Sequence, residues 1–344
     1  MDLALLLGFA LMLYIAWCIG ANDAANPTEC AVGSGALSVK KALIIFSIFV
    51  ALGSLMQGWM VMKTFGGGIS EMRSVYDALI ASLATGIWIT VASYFGMPIS
   101  TTHSAVGAVM GVGLSYLLRY GYANIRYEVI SRIVISWITS PISSIILSAA
   151  LYIVLNKIYY KLSSMRIPAD KLFRYLMICG LIFSAYSFGA NDVSNATGVY
   201  VTFLRLSGAL VGGIDMATAL MLASVGAFGI ILGGFTAGHR VIATVAFKIT
   251  RMDLVSGVAG EFANALVVWL FTTLPYILFG YGIPISTTHS SVSAVIGVGL
   301  VRGGLRAVDK SVILRIISSW LLTVPLTAGL ALSLRILTQI ILSV

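Results

Sequence analysis

Seven stretches of this chain contain no Asp, Glu, Lys or Arg: 3–22, 42–62, 78–118, 133–156, 216–239, 262–301 and 316–334. Each reaches about the 20 residues an α-helix needs to cross a hydrocarbon core of about 30 Å. The stretches 78–118 and 262–301 run to 41 and 40 residues, enough for two crossings or for one crossing and a re-entrant hairpin. Backbone polar groups in lipid must be satisfied inside the chain, which leaves helical bundles and closed barrels. A barrel would show segments of about ten residues with alternating apolar and polar positions. Long continuous apolar runs exclude it. The expected fold is an all-α integral membrane protein of about ten to twelve membrane segments, with broken helices and re-entrant hairpins.

Only 10% of the residues are charged, against about 25% in a soluble domain, so no soluble domain is expected. The net charge of +9 comes from Lys and Arg scattered over short loops. Nucleic-acid binding needs a basic stripe and is not expected. Cys18, Cys30 and Cys179 are too few and too apolar in setting for a disulfide framework or a metal site. The chain starts Met1, Asp2 with no basic region ahead of the first apolar run, which reads as a retained helix.

Three blocks recur in the same order. GANDAANP at 20–27 returns as GANDVSNA at 189–196, PISTTHS at 98–104 returns unchanged at 284–290, and GVGL at 111–114 returns at 297–300. Arg132 and Trp137 map onto Arg315 and Trp320. The chain therefore divides into a first repeat at 1–156, a cytoplasmic linker at 157–170 and a second repeat at 171–344. The offsets of 169 and 186 residues for the first two blocks differ, which is read as an inserted loop with a short surface helix near 239–253.

Basic residues favour the cytoplasmic side. The clusters Lys40 and Lys41, Lys157 to Arg174, and Arg240 to Arg251 are therefore expected inside, with both termini outside. Each half then crosses an odd number of times, which gives two repeats of inverted topology and a site where the halves meet. The segment with Arg119 and Arg126 falls opposite Arg302, Arg306 and Lys310, so one of these groups breaks the trend.

Asp23 and Asp192 follow long apolar runs and fall at membrane depth. An Asp there costs about 2.5 to 3.5 kcal/mol on insertion scales and is a functional-site hypothesis by default. Gly, Ala, Asn and Asp in succession are poor helix formers, and Pro27 follows the first copy, so the helix is expected to break within the motif. Asn22, Asp23 and Asn26 then offer hard oxygens to a small cation, and Asn191, Asp192 and Asn195 repeat the set. The competing role is a helix cap; two equivalent copies weigh toward a sodium site at each Asp.

In PISTTHS a proline ends one apolar segment, and hydroxyls with one imidazole open the next. Ser100, Thr101, Thr102 and Ser104, repeated as Ser286, Thr287, Thr288 and Ser290, join the free amides of a helix N-terminus in suiting an oxyanion. Capping and back-bonding compete for the same hydroxyls. His103 and His289 are candidates for proton relay or for donation to the anion.

Two aspartates and one phosphate would bring three to four negative charges into a low-dielectric space, and no Lys or Arg lies inside or directly beside any of the four motifs. Unless a distant residue such as Arg73 folds in, bound cations must compensate, so anion and cation move together. Glu261 has no acidic partner at the matching place of the first half and is a candidate for coupling; its other reading is a helix-start Glu. Gly66, Gly67 and Gly68 lack a P-loop lysine and read as a turn.

The paired GAND and PISTTHS blocks on an all-helical background resemble the inorganic phosphate transporter (PiT) family over nearly the whole chain. The resemblance implies a multi-pass plasma-membrane symporter of orthophosphate. It would be driven by sodium or by protons, would need no cofactor beyond the co-transported ion, and would associate as a dimer. Asp23 and Asp192 would be its cation-coupling carboxylates, and the hydroxyls of both PISTTHS copies would hold the anion. Pro27 and Glu29 stand where the second copy has Ala196 and Gly198, so the two cation sites need not be equivalent. The linker at 157–170 is short where eukaryotic members carry a long loop, which implies a prokaryotic source. Sulfate carriers are similar enough to stay in play, and a non-transporting phosphate sensor is the rival from another class. An intramembrane hydrolase is disfavoured, because adjacent Ser and His on a helix point apart.

Overall fold

The computed structural model describes residues 3–65 and 69–342. The glycine turn expected at 66–68, and the first two residues, lie outside them. The first half consists of α1 (Leu3–Asp23), α2 (Ala25–Gly33), α3 (Val39–Gln57), α4 (Trp59–Phe65), α5 (Val75–Tyr94), α6 (Thr101–Tyr120) and α7 (Tyr127–Ser164). The second consists of α8 (Ala169–Leu206), α9 (Met216–Ala237), α10 (His239–Lys248), α11 (Leu254–Phe279), α12 (Thr287–Gly303) and α13 (Lys310–Leu342). Among the described residues no strand forms, and two isolated bridges are the only β pairing.

Eight of the helical segments are long and apolar enough to cross a membrane, α1 and α2 counting as one. The helices α6 and α12, which open with the hydroxyl-rich blocks, bring the set to ten. Each long uncharged run folds as a helix (α5 or α11), a tip, and a second helix (α6 or α12). Local chemistry fixes the ends. Asp215 and Asp253 accept from the Thr218 and Ser256 amides at 2.7 and 2.8 Å. Gly121 and Gly280 close α6 and α11 in the left-handed region, where a Cβ would be strained.

The halves match element by element. The bridge Ser70 to Ile125 closes the first-half hairpin as Thr250 to Val308 closes the second. α4 follows α3 as α10 follows α9. Segment 239–253 therefore folds as α10 and a short turn, and it has a first-half counterpart. The additional residues of the second half are spread over the end of α8, the 207–215 loop, longer α9 and α10, and an α11 of 26 residues against 20 in α5. The expected linker is mostly helix: α7 runs on to Ser164, and only 165–168 separates it from α8.

The halves interlock. α1 packs on α9, α3 on α8, α6 on α13 and α7 on α12. Backbones touch at the first two crossings: a Cβ on Gly20 would stand 1.9 Å from the Ile230 carbonyl oxygen, and one on Gly53 1.9 Å from that of Tyr186. Small residues in this role are the usual way membrane helices gain packing, since lipid supplies no hydrophobic drive between them.

Only one GAND copy interrupts its helix. α1 ends at Asp23 and α2 starts at Ala25, whereas α8 runs unbroken through 189–196. Pro27 has no amide for the Asp23 carbonyl and its ring crowds that oxygen; Ala196 in the second copy does neither. The break expected in the second copy is absent because no proline follows it, and its Gly, Ala, Asn and Asp do not end a helix by themselves.

The basic clusters sort by contact. Arg302 donates to the Arg251 carbonyl and pairs with Asp253 at 3.0 Å, so it sits at the same end of the bundle as the Arg240 to Arg251 cluster. Arg126 donates its amide to the Ile69 carbonyl. Arg302 thus groups with a cluster expected inside, while Arg126 belongs to the bridge of the first-half hairpin.

Candidate transport site

Both hairpin tips are held by an asparagine of the GAND motif. Asn22 donates to Ser93 Oγ and the Met97 carbonyl, both at 3.0 Å, and accepts from the Ile99 amide at 3.1 Å. Asn191 repeats this with Thr272 Oγ1 at 2.7 Å, the Ile283 carbonyl at 3.1 Å and the Ile285 amide at 3.3 Å. Each clasp fixes the extended segment just ahead of a tip helix.

The tips then meet. Thr102 Oγ1 donates to the Ile285 carbonyl at 2.8 Å, and Thr288 Oγ1 donates to the Ile99 carbonyl at 2.9 Å. The N-termini of α6 and α12 converge there. The amides of Thr101, Thr102, Thr287 and Thr288 open their helices, where N–H groups lack intrahelical acceptors.

The carboxylates lie against this junction, both fully enclosed. Asp23 Oδ2 accepts from Thr101 Oγ1 at 2.6 Å, and its Oδ1 from Thr288 Oγ1 at 3.4 Å, so one threonine of each tip reaches it. Asp192 Oδ1 accepts from Asn195 Nδ2 at 2.7 Å, while its Oδ2 has no partner. Asn195 also bonds Thr101 and Thr102, at 3.2 Å each, and Asn26 bonds Thr287 and Thr288, at 3.1 Å each. Each of these asparagines therefore addresses the opposite half's tip. Among the described residues no Lys or Arg pairs with either aspartate. Arg73 instead pairs with Glu71 at 3.8 Å and covers the rings of Tyr116 and Tyr122.

The eight tip hydroxyls divide into two groups. Thr101, Thr102, Thr287 and Thr288 face the junction. Ser100 and Ser286 cap α6 and α12 through the His103 and His289 amides at 3.1 Å. Ser104 Oγ bonds back to the Ser100 carbonyl at 3.0 Å, and Ser290 Oγ meets Ser144 Oγ at 2.9 Å. Those four serines build the tips, and their hydrogen bonds go to partners other than the two aspartates.

His103 and His289 pack against each other, tilted by 45° with ring centroids 4.6 Å apart, and Trp137 and Trp320 flank them at 3.6 Å from His103 and 3.9 Å from His289. His289 Nδ1 contacts the Trp137 carbonyl at 3.2 Å, and Trp320 Nε1 donates to the Pro98 carbonyl at 3.2 Å. Neither imidazole bonds to a carboxylate. The tryptophans were legible as a repeated pair, but their packing on the histidines was not.

Glu261 is buried beside Ser184, and Glu29 beside Ser291. Sequence reasoning noted Glu29 only as a departure from the second copy. The available signal was an acidic residue six positions beyond Asp23 in an uncharged setting.

An apolar helical bundle in which two helix N-termini and two uncompensated carboxylates converge on one buried point belongs to the class of membrane transport proteins, not enzymes. A profile of the phosphate transporter family matches residues 19–331, and the chain belongs to that family. It is 31% identical to a phosphate permease of Pyrococcus abyssi over 96% of both chains. It is 30% identical to inorganic phosphate transporter 2-1, chloroplastic, of Arabidopsis thaliana over 95% of this chain and 71% of that one. Its fold is similar to a solved structure titled "The sodium-dependent phosphate transporter", with a TM-score of 0.85 and 28% identity, over 99% of this chain and all of the other.

Proposed function

We propose that this chain carries inorganic phosphate across the plasma membrane in symport with sodium, by alternating access between two inverted repeats. The observation that carries the reading is the placement of Asp23 and Asp192, fully buried and, among the described residues, unpaired by any cationic side chain: Asp23 meets a threonine of each hairpin tip, and Asp192 is joined to the first tip through Asn195. Sodium ions at Asp23 and Asp192 supply the missing positive charge. Asn26 and Asn195 add amide oxygens to those sites, and Asn22 and Asn191 position the tips. The hydroxyls of Thr101, Thr102, Thr287 and Thr288, with the four amides that open α6 and α12, receive the phosphate oxygens. The carbonyls of Ile99 and Ile285, which accept from Thr288 and Thr102, close the junction until the tips part.

The cation and anion sites share Thr101 and Thr288, so an ion at Asp23 frees those hydroxyls to turn toward the anion. This gives order to binding: cation first, phosphate second. The reading includes a homodimer, tested by crosslinking in native membranes. Labelled phosphate uptake into proteoliposomes, with sodium and proton gradients imposed separately, tests the coupling. Sodium alone is expected to drive uptake, and Asp23→Asn or Asp192→Asn to abolish it. Uptake driven by protons without sodium, or preference for sulfate over phosphate, would replace the reading with a proton-coupled or sulfate permease. Phosphate binding with no uptake under either gradient would make the protein a sensor.

A further inference from the structure

A groove of about 590 Å³ runs along the first half of α13, bounded by α10 and by the end of α5 with the segment that leads to the first tip. Its walls are mainly apolar, with Trp88, Phe95, Leu314, Ile316 and Leu322 among them. Phe95, Leu314 and Leu322 are exposed. An exposed leucine face on a membrane-spanning helix meets acyl chains, which are as apolar as leucine itself.

Two cations line the same groove: Lys248 at the end of α10 and Arg315 in the second turn of α13. They lie at one end of the bundle, because the Thr250 to Val308 bridge and the Asp309 amide, which donates to the Ile249 carbonyl at 2.9 Å, tie the end of α10 to the start of α13. That end carries the Arg240 to Arg251 cluster and is the one expected to face the cytoplasm. Arg240 is engaged there, donating to the Tyr94 carbonyl at 3.0 Å. Among the described residues no carboxylate pairs with Lys248 or Arg315.

The duplication supplies an internal comparison. The first half has its own groove, about 210 Å³, in which Val129, Arg132 and Ile133 stand where the second has Val312, Arg315 and Ile316. There Arg132 is satisfied within the protein, by the Glu128 carboxylate and the Tyr281 hydroxyl, with its guanidinium 5.2 Å from the centre of the Tyr281 ring. The matching positions beside Arg315 hold Ser311 and Phe95, neither of which carries charge. One groove brings its own anion, and the equivalent one leaves an arginine and a lysine to a group from outside the chain.

We infer that the groove between α5, α10 and α13 binds an anionic phospholipid of the cytoplasmic leaflet, its phosphate between Lys248 and Arg315 and an acyl chain along Phe95, Leu314 and Leu322. Arginine presents a fork to phosphate oxygens and lysine a point charge, and basic pockets between membrane helices on the cytoplasmic side take anionic headgroups. Free phosphate matches the cations but not the apolar wall; a zwitterionic lipid matches the wall but brings a cation to a basic mouth. The lipid lies against Met97 and Pro98, whose carbonyls accept from Asn22 and Trp320 at 3.0 and 3.2 Å, so it braces the segment ahead of the first tip.

The test is native mass spectrometry of the full-length protein released from phosphatidylcholine nanodiscs with graded phosphatidylglycerol, counting the lipid retained per chain. The wild type is expected to keep one phosphatidylglycerol, and Lys248→Gln with Arg315→Gln to weaken that retention at least about tenfold. Ser318→Phe fills the groove and leaves both charges, and is expected to weaken it too. Lys157→Gln, at an exposed lysine of α7 outside the groove, is expected to change nothing. Equal loss in Lys157→Gln, or phosphatidylcholine retained as well as phosphatidylglycerol, overturns the site. Displacement of the lipid by millimolar inorganic phosphate overturns it in favour of a phosphate vestibule, and an unchanged lipid count with a shifted oligomeric state in the charge variants overturns it in favour of a contact between copies. Retention is read with no gradient and no uptake, so loss of the transport reading leaves this result standing, and the reverse holds as well.

Discussion

Breaking the ion pair between Arg335 and Asp77 should cost more from one side than from the other. Arg335 Nε lies 2.7 Å from Asp77 Oδ1, with the two side chains 3% and 0% exposed. The pair joins the far end of α13 to the start of the α5 hairpin arm. Removing one partner of a buried pair costs about 3 to 5 kcal/mol, because the other charge is left uncompensated. After Arg335→Met, Asp77 keeps three donors: Tyr116 OH at 2.6 Å and the Arg73 and Ser74 amides at 2.7 and 3.0 Å. The cost should fall near 3 kcal/mol, the low end of that range. After Asp77→Asn, the Arg335 guanidinium keeps one acceptor, Tyr116 OH at 3.2 Å, with the new amide oxygen a weaker one. That cost should approach 5 kcal/mol. The double variant loses both charges and keeps an acceptor for the two amides, so about 2 kcal/mol is expected, a coupling of about 6 kcal/mol where an exposed pair gives under about 1. SDS titration in mixed micelles reads these differences. Single costs below about 1 kcal/mol, or an additive double variant, would show that the pair is hydrated in the folded protein and refute the reasoning.

Asn191→Ala removes three bonds that hold the second tip; at about 1 kcal/mol or more for each buried group left unpaired, phosphate uptake should drop at least tenfold while the protein stays folded, which uptake and size-exclusion profiles check together. Gly53→Ala puts a methyl 1.9 Å from the Tyr186 carbonyl oxygen and must push α3 from α8, with a cost of about 1 to 3 kcal/mol from overpacking; SDS titration should detect it, and a neutral result would mean the crossing is looser than described. Asp215, in the loop ahead of α9, has its carboxyl pKa lowered by the Thr218 amide it accepts from. Its folded value lies below its unfolded one, so its capping contribution is present above the ordinary Asp range and fades as pH falls through the lowered value. Hydrogen exchange at the start of α9 should quicken on that acid side in the wild type and lose this pH dependence in Asp215→Asn.

The sequence alone determined the solvent, the fold class and the motifs. Uncharged runs longer than a hydrocarbon core can be satisfied only as helices, and block repeats survive as letters whatever the tertiary arrangement. Asp23, Asp192 and the hydroxyl blocks were legible because polar groups at membrane depth need a reason to be there. What tertiary structure decided was the partner of each polar atom. Serine and threonine in PISTTHS read alike in one dimension. In three, Ser100 and Ser286 spend their oxygens on helix caps, while Thr101 and Thr288 reach Asp23 from opposite tips. The unbroken course of α8 through the second GAND was equally hidden, because the weak helix preference of Asn and Asp breaks a helix only where a proline such as Pro27 joins it. Glu29 and Glu261 are 232 positions apart, and only the packing of α2 against α11 brings their helices together. Periodicity and composition are local quantities, whereas the compensation of a buried charge depends on whatever the fold carries to it from elsewhere in the chain.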